Sequence, residues 1–267
     1  MPALPARLGI VAGGGKLPAK LLDFCDARKI QTFIIGFKNH TDLNLLDARS
    51  FSLVRLGAGG SMVRIFKDKG FNDLVVIGSV KRPSLWELRP DLYTMNFFRK
   101  LGFKAMGDDG LLQAIHAQLK EEGFKLHGIH EIMPDFLMPD GLLGSVKPTK
   151  TQLDDIAFGF VASKDLGAKD LGQSVVVKDG KVIGTEDSKG TNALIKRSDG
   201  GVLVKTCKPQ QDRKLDLPTI GVETIKLCAE QGFSGVAVES GAAVIVDKAE
   251  CIAAADKACI FLMGVTP

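Results

Sequence analysis

Apolar and polar positions along the chain follow two rhythms. Short apolar runs at Leu8–Ala12, Gln31–Ile35, Phe51–Arg55 and Asp73–Gly78 have the length of strands. Helical stretches separate them, one beginning near Leu17 and another spanning Ser61–Lys69. Four such alternations predict a parallel sheet covered by helices, with a fifth strand at Lys125–Ile132. Leu111, Leu112, Ile115 and Leu119 recur at helical spacing, so 107–122 reads as a helix with an acidic start. The aromatic stretch Trp86–Phe103 reads as core helix in preference to the wall of an apolar cleft.

After the fifth strand the composition changes. MPDFLMPDGLLGSVKPT at 133–149 carries three prolines and several turn signals, and 136–149 is expected to be a linker. Beyond it come a helix over Gln152–Leu166 and a hairpin of Gln173–Val177 with Lys181–Thr185 about Asp179-Gly180. A short helix follows Lys189-Gly190-Thr191, then a strand at Gly201–Thr206 and a helix at Val222–Gln231 stopped by Gly232. Strands at Gly235–Glu239 and Ala243–Val246, a helix at Lys248–Lys257 and a strand at Ile260–Val265 complete the chain. The expectation is an α/β protein of two α/β domains with a ligand cleft between them. The first, 1–135, has a Rossmann-like parallel sheet, and the second is 150–267.

Composition narrows the function classes. The chain has 267 residues, 45% of them hydrophobic and 25% charged, and its net charge of +4 is too small to imply nucleic-acid binding by itself. Its five cysteines are odd in number and widely spaced without a CxxC pair, which points to reduced thiols. No apolar run approaches the roughly 20 residues of a membrane-spanning helix, so any membrane contact is expected to be peripheral.

Candidate chemistry lies in loops. Gly13, Gly14 and Gly15 end the first strand before a helix, where close backbone approach and exposed N–H groups favour an anion. AGGGKLP lacks both GxGxxG and GxxxxGK[ST] spacing, so a dinucleotide or ATP site is not supported, and a tight turn explains the glycines equally well. Arg82, after the fourth strand, can offer a planar fork to a phosphate. Asp108 or Asp109 can cap the helix that follows, which leaves the other open to a ligand. His116 reads as a surface or boundary residue, and His127 and His130 flank the fifth strand without forming a nucleophilic triad. Glu186 and Asp187 stand at a strand end before Lys189-Gly190-Thr191. The densest cluster is KPQQDRKLDLPTIG at 208–221: Pro209 and Pro218 bracket it, so Asp212 and Asp216 lie on an irregular connection among Lys208, Arg213 and Lys214. Carboxylates beside cations suit a hydrated Mg²⁺ together with a phosphate ester, and they also suit a solvated, charge-balanced loop.

Taken together, AGGGKLP, GSVKRPSL at 78–85, GDDGLL at 107–112, HEIMPDFLMPDGLLG at 130–144, KGTNALIKR at 189–197 and the 208–221 segment resemble the UDP-2,3-diacylglucosamine pyrophosphatases of the LpxI type. The resemblance runs over nearly the whole chain. It implies Mg²⁺-dependent cleavage of a lipid-bearing nucleotide sugar to UMP and 2,3-diacylglucosamine 1-phosphate in lipid A synthesis. It further implies a cytoplasmic protein peripheral to the inner membrane, with a homo-oligomer left open. An essential aspartate is implied in 208–221, assigned first to Asp216 and second to Asp212. Both are also implied metal ligands, with Glu186 as a third. The implied substrate contacts are Gly13, Gly14, Gly15, Lys16, Arg82, Asp108, Asp109, Thr191, Lys208, Gln211 and Lys214. Two positions depart from the family pattern. Lys189-Gly190-Thr191-Asn192 stands in place of EGTD, and Lys214 in place of an arginine, which keeps the charge but loses the bidentate fork. The alternative class is a non-catalytic nucleotide-sugar or lipid-phosphate binding or regulatory protein.

Overall fold

The computed structural model describes residues 4–42, 44, 49–80, 88–101 and 108–266, without the side chain of Asp108. The chain forms two compact units. Residues to Pro134 together with Asp212–Asp216 make the first, and Asp135–Gln211 with the chain from Leu217 on makes the second.

In the first unit the elements alternate as β1 (Arg7–Ala12), α1 (Leu17–Ala27), β2 (Gln31–Phe37), β3 (Phe51–Val54), α2 (Gly59–Lys69) and β4 (Asp73–Ile77). Then come α3 (Leu92–Leu101), α4 (Asp108–Glu121), β5 (Lys125–Leu126) and α5 (Ile129–Ile132). The strands lie in the order β3-β2-β1-β4-β5, all parallel, so the winding direction reverses between β1 and β4. Every β1 residue from Leu8 to Ala12 is buried, as expected of a strand in the middle of a parallel sheet. Phe66 anchors the core and meets the rings of Phe33 and Phe124 edge-on, at 6.2 and 6.3 Å between centroids. All five strands end at one edge of the sheet, the edge where open α/β sheets bind ligands.

Two expectations about this unit are corrected. The fifth strand stops at Leu126, because Gly128 turns the chain into α5 and Glu131 Oε2 accepts the Gly128 N–H at 3.0 Å. The aromatic stretch does not form a core helix: α3 has no buried residue, and Leu92, Met95 and Phe98 are 78%, 53% and 39% exposed. Trp86 and Phe103 lie outside the described residues.

The second unit is a six-stranded mixed sheet in the order β6 (Gly141–Leu142), β13 (Phe261–Val265), β11 (Phe233–Glu239), β9 (Gly201–Lys205), β7 (Ser174–Lys178) and β8 (Lys181–Thr185). Its parallel centre is β9 (Gly201–Lys205), β11 (Phe233–Glu239) and β13 (Phe261–Val265). The hairpin β7 (Ser174–Lys178) and β8 (Lys181–Thr185) closes one side, turning at Asp179 and Gly180, whose φ values are 51° and 74°. The buried Asp155 carboxylate accepts both turn N–H groups, from Asp179 at 3.2 Å and Gly180 at 2.7 Å. Asp155 belongs to α6 (Lys150–Ala168), which starts two residues earlier than periodicity indicates because Thr149 and Gln152 form a capping box. The short helix α7 (Thr191–Lys196), α8 (Val222–Glu230) and α9 (Lys248–Lys257) complete the unit, with a two-stranded ladder of β10 (Thr219–Ile220) and β12 (Val244–Ile245).

The segment expected as a linker belongs to this unit. Met138 is fully buried in the core, Leu137 bridges Val244, and β6 (Gly141–Leu142) pairs antiparallel with β13. Its prolines and turn residues shape an edge connection whose pairing is non-local. The five cysteines are free, and burial pushes the Cys25 thiol up to about 11 and that of Cys228 to about 12.

Candidate active site in the 208–221 loop

The two prolines keep 208–221 out of regular structure, and the chain there changes allegiance in mid-loop: Gln211 belongs to the second unit and Asp212–Asp216 to the first. The second half is a compact turn. The Asp212 backbone carbonyl accepts the N–H groups of Leu215 at 3.0 Å and Asp216 at 2.9 Å, and the Asp212 carboxylate accepts from Lys214 N at 3.0 Å. Leu215 packs on the first unit's apolar core.

Side chains of the first unit hold this turn. The Asp212 carboxylate pairs with His116 Nδ1 of α4, and Lys214 Nζ donates to the carbonyl of Leu126 at 3.0 Å and lies 3.5 Å from Glu131. The turn therefore sits against the carboxyl end of β5. Burial opposes ionisation of Glu131, but the Gly128 N–H and the charges of Lys214 and His130 hold it below the usual carboxylate range. Burial, followed by the charges of Arg213 and Lys214, outweighs Glu131 and lowers the pKa of His130. His127 is buried between Asp73, 2.7 Å away, and Glu131, 3.7 Å away. Sequence reading missed His116 and Glu131 as members of this cluster. The i, i+7 spacing of Asp109 and His116 puts both on one face of α4, but the partner of His116 lies 96 residues further on.

At the point where the winding reverses, Gly13 N donates to the Ile77 carbonyl at 2.8 Å, and Gly14 forms a bridge with Ser79. A Cβ on Gly13 would lie 2.5 Å from the Ser79 carbonyl, and Gly15 has φ of 92°, so both positions need glycine. Lys16 is the N-cap of α1, which has no side-chain cap hydrogen bond among the described residues. The start of α2 differs: Asp91 and Thr94 accept from Gly60 N and Gly59 N, both at 3.0 Å, so that helix end is satisfied within the chain. Asp109 is buried in the first turn of α4, and Arg82 and the Asp108 side chain lie outside the described residues.

The remaining candidates gather in the second unit. Glu186 accepts the Thr191 hydroxyl at 2.8 Å and Gln173 N at 3.0 Å, and Lys205 Nζ donates to the same Thr191 oxygen at 2.8 Å. Lys208 pairs with Asp170 at 2.6 Å, and buried Gln211 accepts from Lys208 N at 3.1 Å. Glu186 makes these contacts within the second unit. Among the described residues no three His, Cys, Asp or Glu gather as a metal-holding group.

Sequence comparison matches both units to known domains. The LpxI N-terminal domain matches residues 7–136 and the LpxI C-terminal domain residues 139–263. The UDP-2,3-diacylglucosamine pyrophosphatase LpxI of Caulobacter vibrioides is 34% identical over 275 residues, covering 98% of this chain and 98% of the relative.

Proposed function

The chain belongs to the LpxI family, and from that premise we propose that it hydrolyses the pyrophosphate of UDP-2,3-diacylglucosamine to UMP and 2,3-diacylglucosamine 1-phosphate, with Mg²⁺, in lipid A synthesis. The observation that carries this reading is the Asp212–Asp216 turn, which presents two carboxylates and two cations at the carboxyl edge of the first unit's sheet. The Rossmann-like reading of that sheet rests on its parallel 3-2-1-4-5 strand order.

Mg²⁺ takes one or two protein carboxylates and fills its shell with water and substrate phosphate oxygens. Asp216 is the first candidate to hold it. Asp212 and Glu186 stand behind it as further candidates. When bound, the metal supplies neutralising charge to the phosphoryl oxygens. In this reading Asp216 also orients the attacking water, whose oxygen bonds to phosphorus as the bridging P–O bond breaks. Arg213 and Lys214 add positive charge beside it. The Gly13–Lys16 turn, glycine-tight and without a side-chain cap on its helix, suits a phosphate of the nucleotide half.

The substrate is amphipathic, and among the described residues no helix is long and apolar enough to cross a membrane. Peripheral contact is proposed through α3, whose exposed Leu92, Met95 and Phe98 are followed by Arg99 and Lys100. Co-sedimentation with anionic vesicles that is lost in a Leu92→Glu, Met95→Glu variant supports it; equal co-sedimentation of that variant counts against it.

Purified protein incubated with UDP-2,3-diacylglucosamine and Mg²⁺ is expected to release UMP. A binding protein returns the substrate intact.

A further inference from the structure

We propose that His116 is a positioning residue for this reaction, acting through Asp212 to hold the Asp212–Asp216 turn in the shape that presents Asp216; the proposal rests on the hydrolase reading above. His116 lies in the middle of α4, a 14-residue helix, and its Nδ1 meets the Asp212 carboxylate. Nδ1–H donates and the carboxylate accepts. Both side chains are partly sheltered, at 29% and 13% exposure, so the charge-assisted contact is less screened than a surface pair.

The position of that contact matters more than its strength. Asp212 is the residue on which the turn closes, since its backbone carbonyl receives Leu215 N and Asp216 N while its carboxylate receives Lys214 N. Fixing the Asp212 side chain therefore fixes the acceptor to which the Asp216 backbone is tied, two hydrogen bonds from His116. Among the described residues, His116 is the side chain from outside the loop that reaches the Asp212 carboxylate. Among the described residues, the turn's other holds, Lys214 on the Leu126 carbonyl and Leu215 in the core, act further along it. A catalytic group displaced by about 1 Å can lose on the order of a hundredfold in rate, so a contact of this kind registers in catalysis well beyond its share of stability.

Two measurements on three proteins test the proposal. With UDP-2,3-diacylglucosamine and saturating Mg²⁺, His116→Ala is expected to lower kcat about tenfold to a hundredfold while KM stays within about twofold of wild type. Limited trypsin treatment, which cuts after Arg213 and Lys214, is expected to open the His116→Ala turn faster than the wild-type turn. His116→Asn, whose amide N–H can donate to Asp212 from the place of Nδ1, is expected to recover most of both. UMP release by the wild type separates the two claims: if the wild type releases none, the hydrolase reading fails, and with it the catalytic part of this proposal, whatever the trypsin result. With an active wild type, the positioning role is overturned if His116→Ala keeps wild-type kcat and cutting. It is equally overturned if His116→Asn is as slow as His116→Ala, because the ring's second nitrogen would then take a direct part.

Discussion

Asp212 in the first unit and Glu186 in the second each accept hydrogen bonds on both carboxylate oxygens, but their surroundings differ. Glu186 is 8% exposed, and its partner Thr191 is shared with the buried Lys205 Nζ at a sheet edge. Asp212 sits in a five-residue turn held by His116 and Lys214, beside an Asp216 that is only half-buried. A sealed carboxylate contributes to stability, because removing it strands its donors. One in a partly exposed turn contributes less and can meet a ligand. Carboxylates close to cations are thus equivalent on paper and unequal in the fold.

The largest effect that sharpens this contrast is on stability. Glu186→Ala removes the acceptor for Thr191 and Gln173 N and leaves buried Lys205 without its second-neighbour charge, so a loss of about 3 kcal/mol is expected in denaturant unfolding. A loss below about 1 kcal/mol would break the contrast, since it is the range of an exposed pair.

A smaller effect follows from pH. The pKa of His130 is lowered from its ordinary 6.5 by burial first and by Arg213 and Lys214 next, so the folded first unit favours the neutral ring. Its contribution is complete above pH 6.5 and is lost as pH falls through the lowered folded value. Glu131 is also lowered, from 4.5, so its contribution is present above pH 4.5 and disappears only in stronger acid. Unfolding midpoints measured from pH 7.5 downward are expected to fall first below about 6.5, and His130→Asn is expected to flatten that first step. An unchanged profile in His130→Asn would assign the step to another group.

Much of the architecture was legible because it is local. The strand, glycine turn and helix at Leu8–Ala27 and the Asp179-Gly180 hairpin follow from apolar period and left-handed turn residues alone. What failed was non-local or context-dependent. The proline-rich 136–149 segment reads as a linker until β13 pairs with Gly141 and Leu142, and α3 carries apolar residues that sequence assigns to a core and the fold leaves exposed. In the candidate site, Asp212 and Asp216 stood out by their bracketing prolines and neighbouring cations. His116 did not, because a histidine within an amphipathic helix has no signature until its partner, 96 residues away, is brought to it. The division of the loop between two units after Gln211 was likewise invisible in the sequence.

In the proposed function the working carboxylates are those of the Asp212–Asp216 turn, and Glu186 is structural. UMP release from UDP-2,3-diacylglucosamine at saturating Mg²⁺, measured side by side for Asp216→Ala and Glu186→Gln, tests it most directly. Asp216→Ala is expected to keep a wild-type unfolding midpoint and to lose on the order of 10² or more in kcat, whereas Glu186→Gln, still able to accept from Thr191, is expected to keep kcat within a few-fold. Near-normal turnover in Asp216→Ala together with a dead, folded Glu186→Gln would contradict it and move the catalytic carboxylate to the second unit.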